Sequence, residues 1–201
     1  MSHERPLVYV DLDRTLFRTS LIKQLWGELG RLYPDIDVKA AYTHRAEYYR
    51  TLGDLYSHDM TAQLQSIGIS ADEAYVKLHE QLRDGRFEYE GATELMSWLK
   101  QAADVRVLTF GFDDYQRFKA SLCPSLRGIP VVTTLLPKRE HFSLENKPCW
   151  LIDDKPVGSE LPAFVRFIQV SLEGKPQPDT VAWPVFTHLN EVKEYLHANL
   201  H

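Results

Sequence analysis

Short apolar runs typical of buried strands recur along the chain. The predicted strands are 7–10, 105–110, 129–134, 149–153 and 165–170. From about residue 90 the strands alternate with predicted helices at 91–102, 113–122, 137–144 and 187–199, of which the first is amphipathic. Strands that alternate with helices are typical of a parallel sheet covered on both faces. The pattern therefore predicts an α/β protein.

The stretch 18–87 interrupts this alternation, because it contains helical patterns but no continuous apolar run. It follows the first predicted strand, so it would stand over the carboxyl edge of the sheet, where ligands bind in such folds. A lid at that place would exclude water and shape a substrate pocket. We predict a core made of 1–17 and 88–201 and a helical cap made of 18–87. Three tyrosines of the cap are expected to pack rather than to bind substrate: Tyr42, Tyr48 and Tyr49.

Composition and charge narrow the classes of function. The 201 residues suffice for one hydrophobic core and a small insert. The net charge of −5 gives no basic surface for nucleic acid or an anionic membrane. No apolar stretch approaches a membrane span, and none has the form of a signal segment. Cys123 and Cys149 lack close spacing and are predicted to be buried thiols. We expect a cytoplasmic protein and leave its oligomeric state open.

The first predicted strand ends in the acidic sequence D-L-D-R-T at residues 11–15. Two carboxylates at this spacing repel each other, so either a cation lies between them or one is protonated. A hard cation with oxygen ligands, Mg²⁺ above all, suits such a site. Two further strands end in polar residues, Thr109 in one case and Asp153 with Asp154 in the other. If these strands are neighbours, four carboxylates and a hydroxyl converge, which requires a metal.

A lysine would complete a site for phosphoryl transfer, because an ammonium group and a hydroxyl can hold the phosphoryl oxygens while a carboxylate attacks phosphorus. Three lysines are candidates. Lys138 heads a predicted short helix fifteen residues before Asp153, Lys147 lies six residues before it, and Lys155 follows the acid pair. We favour Lys138, since a helix that begins near the sheet edge can direct its ammonium group at the site.

The D-L-D-R-T sequence, the strand ending in Thr109, a lysine and the strand ending in Asp153 and Asp154 resemble, in kind and order, the four motifs of the haloacid dehalogenase superfamily. The match covers residues 5–17 and about 88–199. The resemblance implies a Rossmannoid three-layer α/β/α core whose parallel sheet has the strand order 5-4-1-2-3. It also implies an α-helical cap inserted directly after the first motif.

The resemblance implies roles for the two acids of the first motif. Asp11 would be the nucleophile that forms an aspartyl-phosphate, and its second oxygen would bind Mg²⁺. Asp13 would act as general acid and then as general base, and its backbone carbonyl would be a further metal ligand. An acid at this second position is what phosphatases of the superfamily have, whereas the dehalogenases and the ion-pumping ATPases differ there.

The remaining motifs would hold the phosphoryl group and the metal. The resemblance implies that the Thr109 hydroxyl, the Phe110 amide and the Lys138 ammonium bind phosphoryl oxygens. Asp153 would ligate Mg²⁺ directly, and Asp154 would do so directly or through water.

These residues together predict a Mg²⁺-dependent phosphohydrolase that acts on a small phosphorylated metabolite, with no nucleic-acid or membrane partner. Two alternatives stay open. One is a non-enzymatic regulator of the same fold that binds Mg²⁺ or phosphate, although the complete set of acids argues against it. The other is a protein phosphatase, although a cap at 18–87 would obstruct a protein substrate.

Overall fold

The computed structural model describes residues 5–53, 55–174 and 181–200. In these ranges the strands are β1 (Leu7–Val10), β2 (Tyr49–Leu52), β3 (Leu55–His58), β4 (Asp104–Phe110), β5 (Val131–Thr134), β6 (Cys149–Asp153), β7 (Val165–Val170) and β8 (Val185–Phe186). The helices are α1 (Ile22–Leu32), α2 (Val38–Thr43), α3 (Met60–Ser66), α4 (Ala71–Leu82), α5 (Ala92–Ala102), α6 (Asp113–Ser121), α7 (Lys138–Glu145) and α8 (Leu189–Asn199).

Six strands form one parallel sheet in the order β5-β4-β1-β6-β7-β8. The five predicted strands follow the expected order 5-4-1-2-3 when they are counted from the β7 side, with β1 in the centre. The two-residue strand β8 extends the sheet beyond β7 and was not predicted, because two residues are too few to show a periodic pattern. The predicted α/β class with a parallel sheet is confirmed.

Helices cover both faces of the sheet, because successive side chains of a strand point to opposite faces. In β1, Val8 and Val10 join a hydrophobic core that includes the buried faces of α5 and α8. Tyr9, between them, joins a second core with Phe142 of α7. This three-layer arrangement leaves the carboxyl ends of the central strands uncovered by core helices, so polar side chains can gather there.

The segment between β1 and α5 is not purely helical. Helices α1 to α4 occur where helical patterns were predicted, and their buried side chains join the same hydrophobic core as one face of the sheet. Between α2 and α3, however, β2 and β3 form an antiparallel hairpin with Tyr49 opposite His58. The predicted helices are present, but this hairpin was not predicted; Gly53, which follows β2, has a positive φ of 61°.

The division of the chain into a core (1–17 and 88–201) and a cap (18–87) stays a prediction. The two cysteines, Cys123 and Cys149, are free and buried, as predicted. Among the helices of the described ranges, none combines the length and the apolar character that crossing a membrane demands.

Candidate active site

The carboxyl ends of β1, β4 and β6 form the edge of the sheet that carries the predicted site residues. The backbone N–H of Asp11 donates to the carbonyl of Ile152 at 2.8 Å. Because Ile152 directly precedes Asp153 at the end of β6, this bond places the two aspartates at the same level of the sheet. Thr109 is the next-to-last residue of β4, on the other side of β1. The topology thus brings together the strand ends that the sequence predicted to be neighbours.

A tight loop after β1 turns the chain away from the sheet. The amides of Leu16 and Phe17 both donate to the carbonyl of Leu12, at 2.9 and 2.7 Å. Within this loop Arg14 has a φ of 61°, in the left-handed region that costs a non-glycine residue about 1 kcal/mol. Such strain persists only where surrounding contacts fix the backbone. The loop therefore holds Asp13 in one place, close to the end of β1.

Three carboxylates form a compact cluster at this edge. One oxygen each of Asp11, Asp153 and Asp154 lies within 4.8 Å of the other two, and the first two residues are buried. The ammonium nitrogen of Lys138, at the start of α7, lies 2.5 Å from an oxygen of Asp11 and 2.5 Å from an oxygen of Asp153. The guanidinium of Arg14, which is half exposed, lies 4.0 Å from Asp154. One buried ammonium among three acids leaves an excess of negative charge, which is costly away from water.

The pKa values of these groups reflect that excess. Burial, together with the charges of Asp153 and Asp154, raises the pKa of Asp11 to about 7 against the opposing effect of Lys138. Burial and the charge of Asp153 raise the pKa of Asp154 to about 6. Burial lowers the pKa of Lys138, but the two carboxylates that it contacts outweigh burial and raise it. A divalent cation would favour the ionised form of every acid in the cluster.

The donor set of the cluster fits a hard divalent cation, because all three side chains offer carboxylate oxygens. The backbone of Asp13, two residues after Asp11, follows in the adjoining loop. The carboxylate of Asp13 is not one of these three clustered acids, and a buried lysine from α6 binds it. The convergence of all four carboxylates on one metal site stays a prediction.

That lysine is Lys119, whose ammonium nitrogen lies 2.6 and 2.5 Å from the two carboxylate oxygens of Asp13. The Lys119 side chain is 5% exposed and that of Asp13 is 31% exposed. The ammonium also lies 4.9 Å from the centre of the Tyr115 ring. Lys119 was not predicted as a site residue. The sequence does contain one signal for it: Lys119 lies one turn after Tyr115, on the apolar face of a predicted helix. A lysine on a buried face is rarely without an acidic partner, so this position indicates a paired lysine.

Thr109 lies buried at the end of β4, as predicted, and its hydroxyl donates to the side-chain oxygen of Gln116 at 3.0 Å. The amide nitrogen of Gln116 in turn donates to the carbonyl of Phe110 at 2.9 Å. Gln116, which was not predicted, therefore fixes both residues from α6. The contacts of Thr109 and Phe110 with a phosphoryl group stay predictions.

The three candidate lysines occupy different places. Lys138 contacts the acidic cluster, as described above. Lys147 is exposed in the connection that precedes β6. The backbone N–H of Lys155 donates to a carboxylate oxygen of Asp153 at 2.9 Å, so this residue supports the cluster through its main chain. The contact of Lys138 with a phosphoryl group stays a prediction.

Two cavities open at this edge of the sheet and share Phe110 and Lys155 in their walls. The larger has a volume of about 480 Å³ and includes Asp13 and Lys119. The smaller has a volume of about 230 Å³ and includes Lys138. Small-molecule sites are typically about 300–1,000 Å³. The larger cavity therefore has the size of a pocket for a small organic ligand.

No protein-family model and no curated protein matches the sequence, but the fold matches solved structures. A protein described as a haloacid dehalogenase-like hydrolase, from Burkholderia xenovorans LB400, is 15% identical over 96% of each chain, with a TM-score of 0.61. The Bacillus subtilis HAD-hydrolase YfnB, in a structure bound to magnesium, is 16% identical over 96% of this chain and 99% of its own, with a TM-score of 0.57. A dehalogenase with an intermediate complex is 15% identical over 97% of this chain and 98% of its own, with a TM-score of 0.55. The fold is therefore that of haloacid dehalogenase-like hydrolases.

Proposed function

We propose that this chain, whose fold is that of haloacid dehalogenase-like hydrolases, is a Mg²⁺-dependent phosphohydrolase of that superfamily that acts on a small phosphomonoester. The observation that carries the proposal is the buried cluster of Asp11, Asp153 and Asp154 with Lys138 in contact with two of them. A carboxylate can attack an anionic phosphate only where cations offset the charge of both groups. The cluster offers one cation of its own and ligands for another.

Asp11 is the proposed nucleophile. One of its carboxylate oxygens attacks phosphorus, an O–P bond forms, and the bond from phosphorus to the ester oxygen breaks. Asp13 gives a proton to the departing alcohol oxygen. In the second half of the reaction Asp13 takes a proton from water, the water oxygen attacks phosphorus, and the bond to Asp11 breaks. Lys119 binds both carboxylate oxygens of Asp13 and so holds this group in one orientation at the cavity wall.

The other site residues bind rather than react. Lys138 is the proposed ligand of the phosphoryl oxygens, together with the hydroxyl of Thr109 and the amide of Phe110. Asp11, Asp153 and Asp154 would hold Mg²⁺, which offsets the charge of the phosphoryl group when bound. The magnesium in the structure of the B. subtilis HAD-hydrolase supports this assignment.

The solved structures with this fold include a dehalogenase, so the fold leaves the reaction open. Asp13 favours phosphate transfer, because the resemblance implies an acid here in phosphatases and a different residue in dehalogenases. The insert between β1 and α5, with its large cavity, supports a small metabolite as substrate. We propose a cytoplasmic location and no nucleic-acid or membrane partner, in keeping with the net charge of −5.

The direct test measures phosphate release from p-nitrophenyl phosphate by the wild type and by Asp11→Asn, each with Mg²⁺ and with EDTA. We expect turnover only by the wild type with Mg²⁺, and a loss of about 10³-fold or more in kcat in the variant. Circular dichroism should show the same fold for both proteins. Equal turnover by the two proteins would contradict the proposal, as would chloride release from 2-chloropropionate in place of phosphate release.

A further inference from the structure

Aromatic rings form one wall of the larger cavity. Five residues of this wall, here called the aromatic wall, line the cavity: Tyr42, Tyr49, Tyr56, His58 and Tyr115. Tyr49 and His58 are cross-strand partners in the hairpin, and their rings stack with centres 5.2 Å apart and an angle of 18° between planes. Tyr115 meets His58 edge to face at 5.6 Å. The wall is therefore an ordered set of rings and not a chance exposure of one side chain.

Two rings of the aromatic wall are largely exposed. Tyr49 is 46% exposed and Tyr56 is 68% exposed, whereas Tyr115 is 5% exposed. Tyr56 and His58 are two residues apart in β3, and Tyr49 lies opposite His58, so the hairpin geometry puts all three on one face. Tyr49 was predicted to pack, and its half-exposed ring shows that packing is only part of its role. Exposed rings inside a concave pocket are typical of small-molecule sites.

The same cavity reaches Asp13 and one acid of the metal cluster. Asp13, Lys119 and Asp154 line it together with the aromatic wall. Asp13, the proposed proton donor, must reach the ester oxygen of the leaving alcohol. A phosphomonoester whose phosphorus lies at Asp11 would therefore place the rest of its leaving group in this cavity, against the hairpin.

A guanidinium group also lines the cavity and could contribute to ligand selectivity through hydrogen bonds. The guanidinium of Arg45 lies 4.4 Å from the centre of the Tyr42 ring, and it donates to the Tyr42 carbonyl at 3.1 Å. A guanidinium has five N–H donors, so further donors can meet ring nitrogens or oxygens of a ligand. A flat ring with acceptor atoms matches this wall better than a flexible aliphatic group, which cannot stack.

We infer that the substrate is a phosphomonoester whose alcohol carries a planar aromatic ring, and that this ring stacks on Tyr49 and Tyr56. The inference rests on the proposed function, since it assigns the cavity to the leaving group. Every nucleobase has a π-face that can stack on an aromatic side chain. Nucleoside monophosphates therefore belong to the proposed class of substrates.

The test uses two matched pairs of ligands. Adenosine 5′-monophosphate and ribose 5-phosphate differ only in the base, and phenyl phosphate and cyclohexyl phosphate differ in the planarity of the ring. Calorimetry with Asp11→Asn in the presence of Mg²⁺ measures binding without turnover. We expect the aromatic member of each pair to bind about tenfold more tightly, which corresponds to about 1.4 kcal/mol.

Variants locate the effect. In the Asp11→Asn background, replacing both Tyr49 and Tyr56 by Ala should abolish the preference and leave the affinity for ribose 5-phosphate within about twofold. Replacing both by Phe should keep the preference, because Phe retains the ring. Tyr48→Ala is the matched control, since Tyr48 precedes Tyr49 but bonds to Ser66, and it should keep the preference too. Thermal denaturation checks that each variant is folded.

The outcomes separate this inference from the proposed function. Equal affinities within both pairs, or a preference that survives in the double Ala variant, would overturn the inference. Turnover by the wild type without any preference for aromatic esters would also overturn it, while supporting the proposed function. Ring-selective binding that the double Ala variant loses, without phosphate release from any ester, would support the aromatic subsite and contradict the proposed hydrolysis.

Discussion

Lys138 and Lys119 contact carboxylates in two neighbouring regions, the sheet-edge cluster and the cavity wall, and these regions differ in charge balance. In the sheet-edge cluster, Lys138 lies among three acids, and the contacts are almost completely buried. At the cavity wall, Lys119 binds one acid, Asp13, which is partly exposed. The first region has three carboxyl groups for one lysine, whereas the second has one carboxyl group for one lysine. Of these two regions, therefore, only the sheet-edge cluster needs a further cation to balance its charge.

The two contacts also depend on different neighbours. Lys138 begins α7 and reaches a cluster built from two adjacent strand ends. Lys119 lies within α6 and reaches Asp13 from the side, past the rings of Phe17 and Tyr115. A buried charge that loses its partner is strongly destabilising, while a partly exposed one can turn to water. Removal of each lysine should therefore have a different cost.

The largest effect is expected for Lys138→Met, which keeps the length of the side chain and removes its charge. Asp11 and Asp153 would lose their ammonium partner, and we expect the metal-free protein to lose about 3–5 kcal/mol of stability. Added Mg²⁺ should restore part of this loss, because the cation supplies the missing positive charge. The kcat for p-nitrophenyl phosphate should fall by about 10²-fold or more. Thermal denaturation with EDTA and with Mg²⁺, and phosphate release, measure these effects.

Lys147→Ala is the matched control for that experiment. Lys147 is exposed and was the second candidate for the phosphate-binding lysine. We expect its stability to stay within about 0.5 kcal/mol of the wild type and its kcat to be unchanged. If Lys147→Ala lost activity while Lys138→Met kept it, the assignment of the lysine would be wrong.

A pH series sharpens the comparison further. The pKa of Asp11 is raised to about 7 and that of Asp154 to about 6, whereas an unfolded aspartate titrates near pH 4. Between about pH 4 and 7 the folded state therefore binds more protons than the unfolded state, so the stability of the metal-free protein falls as the pH rises. Denaturation temperatures in EDTA at several pH values should show this fall in the wild type and a smaller one in Asp11→Asn.

Saturating Mg²⁺ should flatten the same series, because a bound cation favours the ionised acids. Identical pH dependence in the wild type and in Asp11→Asn would show that the cluster does not carry an excess of charge.

Lys119→Met is expected to have a smaller effect than Lys138→Met. Water can reach the partly exposed carboxylate of Asp13, so the loss of stability should be about 1 kcal/mol. The kcat should fall about tenfold, since Asp13 would lose the contact that orients it. Mg²⁺ should not restore the stability of this variant. Recovery with Mg²⁺ as large as in Lys138→Met would mean that the two regions share one cation site.

Some elements follow from local pattern alone. The strands predicted at 149–153 and 165–170 are β6 and β7 with the same bounds, because continuous apolar runs leave a buried strand few alternatives. The hairpin of β2 and β3 could not be predicted in this way, since its residues are largely exposed and show no clear apolar period. The hairpin forms because two short strands pair with each other, and the apolar pattern of either strand taken alone does not show that pairing.

In the candidate site, too, some features followed from the sequence and others depended on tertiary packing. The sequence by itself determined which acids lie at strand ends: Asp11, Asp153 and Asp154. In a parallel sheet the carboxyl ends of the strands meet at one edge, so these acids were expected to lie together. Only the tertiary structure decided that Lys119 binds Asp13, a contact between residues 106 positions apart, and that Tyr49 and Tyr56 face the cavity. The physical reason is the sequence distance over which each kind of information acts. Local periodicity shows which face of a helix or strand is buried, whereas the partner of a polar side chain depends on how elements far apart in the sequence pack together.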